Sequence, residues 1–279
     1  MLTLIQIELY KIFKKWRTYI GFIAIGVLVP IIHTAMVFEG SHTLNFMTRN
    51  IQESFFFVGN LLNGYLVSYF ILTSLAVHIP FLIALVAGDL LAGEATAGTY
   101  RMLITRPISR TQIITSKFLA GIIYTNLLIL WLAVMSLVVG LIIFGTGELL
   151  VMSNQTVIIF EKSDILWRFL LAYGFASLGM SVVASLAFLF SSLVENSIGP
   201  IVSTMAVIIV FIILSAINID FFQTIKPYLF TNYILSWRLF FDDPVDFAEI
   251  TKATLILAGH IVIFFSLALY LFKRKDILT

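Results

Sequence analysis

Six long stretches of this 279-residue chain contain no Asp, Glu, Lys or Arg, and the shortest has 20 residues. A helix needs about 20 apolar residues to cross a bilayer, where charged side chains are expensive. Hydrophobic residues make up 60% of the chain, against roughly 45–50% in soluble domains. The sequence therefore predicts an all-α integral membrane protein with six transmembrane helices and one domain, residues 1–279. The uncharged stretches are Thr18–Phe38, Ser54–Gly88, Phe118–Gly147, Phe169–Val194, Asn196–Ile219 and Ala253–Phe272.

Some of these stretches are longer than one span requires. We place the spans at about residues 18–38, 65–88, 118–145, 168–190, 197–217 and 253–272. In the second span, Pro80 should bend the helix because proline removes a backbone hydrogen bond. The uncharged stretch Leu149–Phe160 is too short and too polar to cross the bilayer.

The distribution of cations predicts the orientation. If the N-terminus is cytoplasmic, the inner side carries 11 of the 17 Lys and Arg residues and only 5 of the 15 acids. Cations are enriched on the cytoplasmic side of membrane proteins. Both termini are therefore expected in the cytoplasm, and the loop between the second and third spans lies on that side.

Residues 1–17 are expected to form an interfacial helix that rests among the lipid headgroups and leads into the first span. Its apolar side chains fall within about a 100° arc, the width of an apolar stripe, and the lysines lie on the other side. The stripe consists of Leu2, Ile5, Leu9, Ile12, Phe13 and Trp16.

Residues 218–250 form the largest predicted external segment. It is rich in aromatic side chains, which favour the membrane–water boundary, so one or two short helices are expected there. The last part of this segment contains four acids: Asp242, Asp243, Asp246 and Glu249. They either bind a divalent cation or mark a turn before the last helix.

The predicted cytoplasmic loop "GEATAGTYRMLITRPISRTQIITSK" (93–117) is unusually basic and well punctuated. Gly98 is placed to end one helix, since glycine tolerates a left-handed C-terminal cap. Pro107 separates a short helix from the next, and Ser109 with Gln112 fits a capping box. The cations either only orient the spans, or they surround a docking helix with apolar contacts at Tyr100, Leu103 and Ile104.

This loop resembles the signature of type-2 ABC exporter permeases, the six-span membrane subunits of bacterial ATP-driven exporters. The resemblance rests on Gly93-Glu94, Gly98-Thr99, Leu103, Pro107-Ile108-Ser109-Arg110 and Lys117. The closing "YLFKRKDIL", the six spans and the turn "SSLVENS" are also similar to that family. Where its members often have charged residues after the glutamate, this chain has Ala95-Thr96-Ala97.

The resemblance implies that residues 94–110 form a coupling element that docks on a separate ATP-binding cassette ATPase subunit. ATP and magnesium would belong to that partner, since this chain has no phosphate-binding Gly-x-x-x-x-Gly-Lys motif. A second permease copy, identical or related, and membrane lipid are the other expected partners; no nucleic acid, cofactor, metal or catalytic residue is expected. The location implied is the bacterial cytoplasmic membrane. The coupling residues are Glu94, Gly98, Thr99, Tyr100, Arg101, Leu103, Ile104, Arg106, Pro107, Ser109 and Arg110.

Three alternatives remain open. An ion-coupled transporter could use the intramembrane histidines His33, His78 and His260, although the six uncharged stretches hold no Asp, Glu, Lys or Arg. A membrane-embedded enzyme would need a nucleophile with a base or a metal-binding motif, and neither pattern occurs. An accessory membrane protein without transport activity would leave the coupling signature unexplained.

Overall fold

The computed structural model describes residues 1–52, 61–99, 108–152, 157–217 and 219–274. Most of these residues lie in α-helices, and a two-stranded hairpin follows the seventh helix. The helices are α1 (Leu2–Lys14), α2 (Trp16–Gln52), α3 (Gly64–Leu75), α4 (Ile79–Ala87), α5 (Asp89–Thr96), α6 (Arg110–Ala133), α7 (Val139–Phe144), α8 (Lys162–Leu193), α9 (Gly199–Ala216), α10 (Asp220–Ile225), α11 (Thr231–Ile234) and α12 (Phe247–Arg274).

Five helical stretches are long and apolar enough to cross a membrane. Helices α3 and α4 together pass the same test, but they are bent by 55°, so the number becomes six if this pair is one span. The helical content and these stretches define a multi-pass helical membrane protein. The five stretches are Trp16–Phe46, Arg110–Phe144, Lys162–Leu193, Gly199–Ala216 and Phe247–Arg274.

The bend predicted at Pro80 is confirmed. Helix α3 ends at Leu75, and α4 begins at Ile79 with Pro80 in its first turn, where the missing N–H leaves no helical hydrogen bond unmade. At the other end of α3, the Asn63 side chain accepts hydrogen bonds from the amides of Tyr65 and Leu66. This cap explains why the helix starts at Gly64, next to the predicted start of the span.

A π-helical turn, Val134–Val138, joins α6 to α7. Within it, the Ser136 carbonyl accepts a hydrogen bond of 2.8 Å from the Ser68 hydroxyl of α3, and the Ser136 hydroxyl lies 2.6 Å from the Tyr173 hydroxyl of α8. Buried polar groups of this kind need partners in a medium without water. The turn therefore connects three helices through polar contacts that the sequence pattern did not reveal.

A hairpin corrects the expectation of an entirely α-helical fold. Strand β1 (Leu149–Met152) pairs antiparallel with β2 (Val157–Phe160), with Leu149 opposite Phe160. Leu149, Leu150 and Val151 are buried, and the Asn63 amide donates to the Glu148 carbonyl at 2.6 Å. The stretch is too short to span, as expected, but it forms two strands that pack on the bundle through β1 and Phe160.

Helix α8 is the central helix of the bundle and is the most buried of the five long stretches. Helices α4, α6, α9 and α12 pack around it. By contrast, α9 and α12 expose many apolar side chains, including Val202, Ile213 and Leu255. Such surfaces are normal in lipid, where apolar exposure carries no hydrophobic penalty.

The aromatic segment that was predicted to be external folds as two short helices, α10 and α11, with 3₁₀ turns at Lys226–Tyr228 and Ser236–Phe241. Four of its rings are buried in the bundle: Phe230, Trp237, Phe240 and Phe241. Arg168 of α8 holds this segment, because its Nη1 donates to the carbonyls of Phe240 at 2.8 Å and Asp242 at 3.0 Å. The aromatic segment is therefore part of the core.

Candidate functional site

The two helices that flank the predicted coupling element have the expected ends. After α5, the amide of Gly98 donates to the Ala95 carbonyl and that of Thr99 to the Glu94 carbonyl, which is a Schellman motif; Gly98 has a φ of +64°. Helix α6 begins with the predicted capping box of Ser109 and Gln112. Both local predictions are confirmed. The remaining predicted coupling residues, Tyr100, Arg101, Leu103, Ile104, Arg106 and Pro107, lie outside the described residues.

Glu94, the first residue of the predicted coupling element, takes part in buried ion pairs. Its side chain is buried, and Oε1 accepts from Lys117 Nζ at 2.5 Å and from Lys11 Nζ at 3.1 Å. Through these contacts Glu94 holds α5 against its neighbours, and its place in the coupling element stays a prediction.

Lys117 lies at the centre of this arrangement and is 1% exposed. Besides Glu94 it binds Glu8 Oε2 at 2.7 Å, and Glu8 Oε1 accepts from Lys11 Nζ at 2.8 Å. These two acids and two bases, here called the quartet, come from α1, α5 and α6. Their charges cancel, which is the condition under which ionised groups tolerate burial.

Within the quartet, the pKa values of Glu8 and Lys11 are shifted toward the ionised forms. Burial raises the pKa of Glu8, but the charge of Lys117 and hydrogen bonds from Lys11 and Lys117 outweigh burial, so the pKa lies below the ordinary glutamate value. Burial lowers the pKa of Lys11, but the Glu8 hydrogen bond and the charges of Glu8 and Glu94 leave it raised. Both shifts favour the charged forms.

A second group of charges lies beside the quartet around Asp89, at the start of α5. Lys15 Nζ donates to Asp89 Oδ2 at 2.8 Å, and Arg17 Nη1 lies 2.6 Å from Asp89 Oδ1. Arg17 Nη1 is buried and makes no hydrogen bond of good geometry. Lys14, which is exposed, adds a third cation. Lys14, Lys15, Arg17 and Asp89 are called the cationic cluster.

A cavity of about 530 Å³ is lined by residues of α1, the start of α2, the end of α4, α5 and α6. The quartet and the cationic cluster line it, together with apolar side chains that include Leu4, Ile7, Ile12, Val86 and Leu90. The cavity therefore combines a charged wall with an apolar wall.

Helix α5 is also fixed to the end of α8. The Ser191 hydroxyl accepts from the amides of Leu91 and Ala92 at 3.1 and 2.9 Å, and donates to the Gly88 carbonyl at 2.6 Å. These amides belong to the first turn of α5, where helical acceptors are missing. Thr96 Oγ1 donates to the Glu195 carbonyl at 2.7 Å in the "SSLVENS" turn.

Arg110 contacts the C-terminal part of the chain. Its guanidinium donates to the Lys273 carbonyl of α12 at 3.0 Å. Its position in the first turn of α6 thus links the coupling element to a second helix end, rather than leaving the side chain wholly available for a partner.

Helix α1 packs differently from the predicted interfacial stripe. Ile12 is buried and Leu9 and Phe13 pack against the core, whereas Leu2 and Trp16 are 77% and 74% exposed. Lys11 and Lys15, expected on the opposite side, reach carboxylates of the bundle. The protein-facing side of α1 is thus partly charged.

No pattern in the sequence predicted contacts among Glu8, Asp89, Glu94 and Lys117. The structure brings Glu8 and Glu94 together through Lys117. The signal that could have found them was present, because all four flank predicted spans on one side of the membrane. Residues confined to one thin layer meet more readily than their separation in sequence suggests.

The histidines and the acids of the predicted external segment do not come together in a metal site within the described residues. His33 is buried beside the Phe144 ring at 5.9 Å, His78 is exposed, and His260 Nδ1 lies 2.8 Å from the Ile256 carbonyl. Within the described ranges, no three His, Cys, Asp or Glu side chains are arranged to hold a metal ion. Asp246 accepts from the Glu249 amide at 3.0 Å, so it caps the start of α12.

The long apolar helices, with charged groups clustered near their ends, define the class as multi-pass helical membrane proteins. Residues 21–278 match the family described as "Protein of unknown function (DUF2705)". The chain belongs to this family. It is also 29% identical over 199 residues to "Uncharacterized protein YhcI" of Bacillus subtilis (strain 168), a match that covers 69% of this chain and 63% of the relative.

Proposed function

We propose that this chain is the permease subunit of an ATP-binding cassette exporter and that residues 94–110 couple it to a separate ATPase subunit. Two kinds of support meet at this segment. Its sequence resembles the coupling signature of type-2 exporter permeases, and both of its ends belong to well-capped helices. In this proposal six spans cross the bacterial cytoplasmic membrane and both termini are cytoplasmic.

The observation that carries the proposal is the connection between the two ends of the segment. Glu94 of α5 and Lys117 of α6 are paired directly, and Glu8 and Lys11 tie both to α1. A displacement of the segment is therefore transmitted to three helices at once. Helix α5 is nearly continuous with α4, separated by Gly88 alone, so the motion reaches the bent second span.

The chemistry of ATP hydrolysis belongs to the partner in this proposal. ATP and magnesium would bind there, and closure of two ATPase subunits would press on residues 94–110 of two permease copies. The exposed apolar faces of α9 and α12 offer surface for a second copy, although lipid covers such faces equally well. The permease chains would supply the pathway of the cargo.

Co-purification tests the proposal directly. When the chain is co-expressed with its cognate ATPase, Arg101→Glu together with Arg106→Glu is expected to weaken retention of the ATPase, because both cations belong to the coupling segment. Lys162→Glu together with Lys252→Glu is the matched control, since it changes the charge equally at exposed positions on the predicted outer side. If the coupling variant retains the partner and its coupled ATP turnover, these arginines only orient the chain.

Labelling tests the orientation that the proposal requires. The chain contains no cysteine, so a single cysteine at Lys14 or at Lys162 reports one position without a background. A membrane-impermeant maleimide should label the Lys162 position in intact cells and the Lys14 position only after permeabilisation. The reverse result would place residues 94–110 outside the cell and end the proposal.

A further inference from the structure

We infer that the cavity beneath α1 binds the phosphate headgroup of an anionic phospholipid. The inference rests on the charges and walls of the cavity and does not require the exporter proposal. Five cations face the cavity, namely Lys11, Lys14, Lys15, Arg17 and Lys117, against three acids, Glu8, Asp89 and Glu94. The surplus positive charge selects an anion.

The surplus belongs to the cationic cluster. The quartet is neutral, since it contains two acids and two bases that bind one another. The cationic cluster has three cations and one acid: Lys15 and Arg17 contact Asp89, and Lys14 lines the same cavity. An anion would therefore bind between Lys14, Lys15 and Arg17.

Donor capacity remains in the cationic cluster. Arg17 Nη1 is buried without a hydrogen bond of good geometry, although it lies beside Asp89. Lys15 keeps about half of its side chain exposed, 48%, so its ammonium can reach a second acceptor. Phosphate oxygens are strong acceptors for such donors. The unpaired carboxylate oxygen Glu94 Oε2 belongs to the quartet and not to the cationic cluster.

The surroundings favour a lipid over a soluble anion. The outward side of α1 and the start of α2 expose large apolar and aromatic groups, with Leu2 77%, Tyr10 68% and Trp16 74% exposed. Side chains of this type lie at the boundary between headgroups and acyl chains. The apolar wall of the cavity, with Leu4, Ile7 and Val86, provides a surface for the first acyl carbons beside the phosphate. Basic pockets of this kind between helices at the membrane surface recognise anionic headgroups.

Native mass spectrometry of the purified full chain provides the test. We expect phosphatidylglycerol to be retained in preference to phosphatidylcholine. Lys14→Gln should weaken phosphatidylglycerol binding about fivefold, the effect of one cation near an anionic headgroup. Lys14→Arg should preserve binding, and Lys252→Gln, at an exposed position remote in sequence, should not change it.

A second measurement uses the unaltered protein, so it does not depend on how a variant folds. Acylation of lysine amines followed by mass mapping should show that phosphatidylglycerol protects Lys14 and Lys15, whereas Lys162 and Lys252 react equally with either lipid. Equal retention of the two lipids, or equal acylation of Lys14 in both, would overturn the inference. Protection by inorganic phosphate alone, at the same concentration, would assign the site to a soluble anion and overturn the lipid assignment.

Discussion

Lys117 Nζ and Glu94 Oε1 lie 2.5 Å apart, although 23 positions separate the two residues and residues 100–107 lie between them in the chain. The pair joins the end of α5 to the first third of α6. Because Lys117 is 1% exposed, water screens this attraction little. The pair closes the base of the predicted coupling segment.

Removal of the buried cation should destabilise the protein strongly. Lys117→Met leaves Glu8 and Glu94 buried with less compensation, and we expect the free energy of unfolding to fall by about 3–5 kcal/mol. Lys11→Met is the matched control, since Lys11 binds the same two carboxylates but has a side chain that is 39% exposed. Lys11→Met should lower the free energy of unfolding by about 1 kcal/mol. Similar losses in thermal unfolding of the two variants would contradict a central role of Lys117.

The quartet should respond to pH at both extremes. Because the pKa of Glu8 is lowered in the folded protein, its stabilisation is present above the ordinary value of 4.5 and is lost as pH falls through the folded value. Because the pKa of Lys11 is raised, its stabilisation is present below 10.5 and is lost as pH rises through the folded value. The difference in unfolding midpoint between wild type and Glu8→Gln should therefore be constant near neutral pH and shrink in acid. Glu39→Gln, which alters an exposed acid, should show little difference throughout.

Gly98 should matter for coupling beyond its effect on stability. At φ +64° an added Cβ meets nothing within 4 Å, so Gly98→Ala acts through the backbone alone, at about 1–2 kcal/mol. Gly145 is the matched control: its φ is +72° and its Cβ would also meet open space. Its ψ of −174° is almost restricted to glycine, so Gly145→Ala should cost about 1–3 kcal/mol.

Reconstituted protein distinguishes the two glycines. Gly98→Ala should lower substrate-coupled ATP turnover by the partner, because it redirects the chain that enters the coupling segment. Gly145→Ala should leave this turnover intact in the folded fraction. Equal losses of coupling would remove any special role of the α5 end.

Arg168 should hold the aromatic segment in a way that lysine cannot reproduce. Arg168 binds two carbonyls through Nη1 and Asp164 through Nε and Nη2, and it lies over the Phe160 ring at 4.3 Å. Arg168→Lys keeps the charge but loses this forked geometry, and we expect a loss of about 2–3 kcal/mol. Arg238→Lys, at an exposed arginine beside Trp237, should change stability by less than about 0.5 kcal/mol. Equal thermal shifts would show that the contacts of Arg168 contribute little.

Local signals in the sequence predicted the features that depend on neighbouring residues. The uncharged stretches correspond to the long helices, and Pro80, Gly98 and Ser109 mark ends where the structure has them. The signals at Pro80, Gly98 and Ser109 each act within one turn of backbone, so these helix ends can be predicted without knowledge of packing.

The features that were missed depend on contacts between distant residues. Glu8 and Lys117 are 109 positions apart, and the hairpin of β1 and β2 gains its stability from the bundle against which it packs. Charge counting placed Glu8, Asp89, Glu94 and Lys117 on one side of the membrane. It could not tell which of them pair, because pairing requires the packing of α1 on α6.

The joint between α1 and α2 has a mechanical consequence. Lys15 alone separates them, in an extended conformation with φ −84° and ψ 130°. A connection of one residue is too short for α1 to move along the membrane surface independently of the 37-residue α2. A headgroup bound beneath α1, or a force on the ion pairs that hold it, would therefore be transmitted directly to α2.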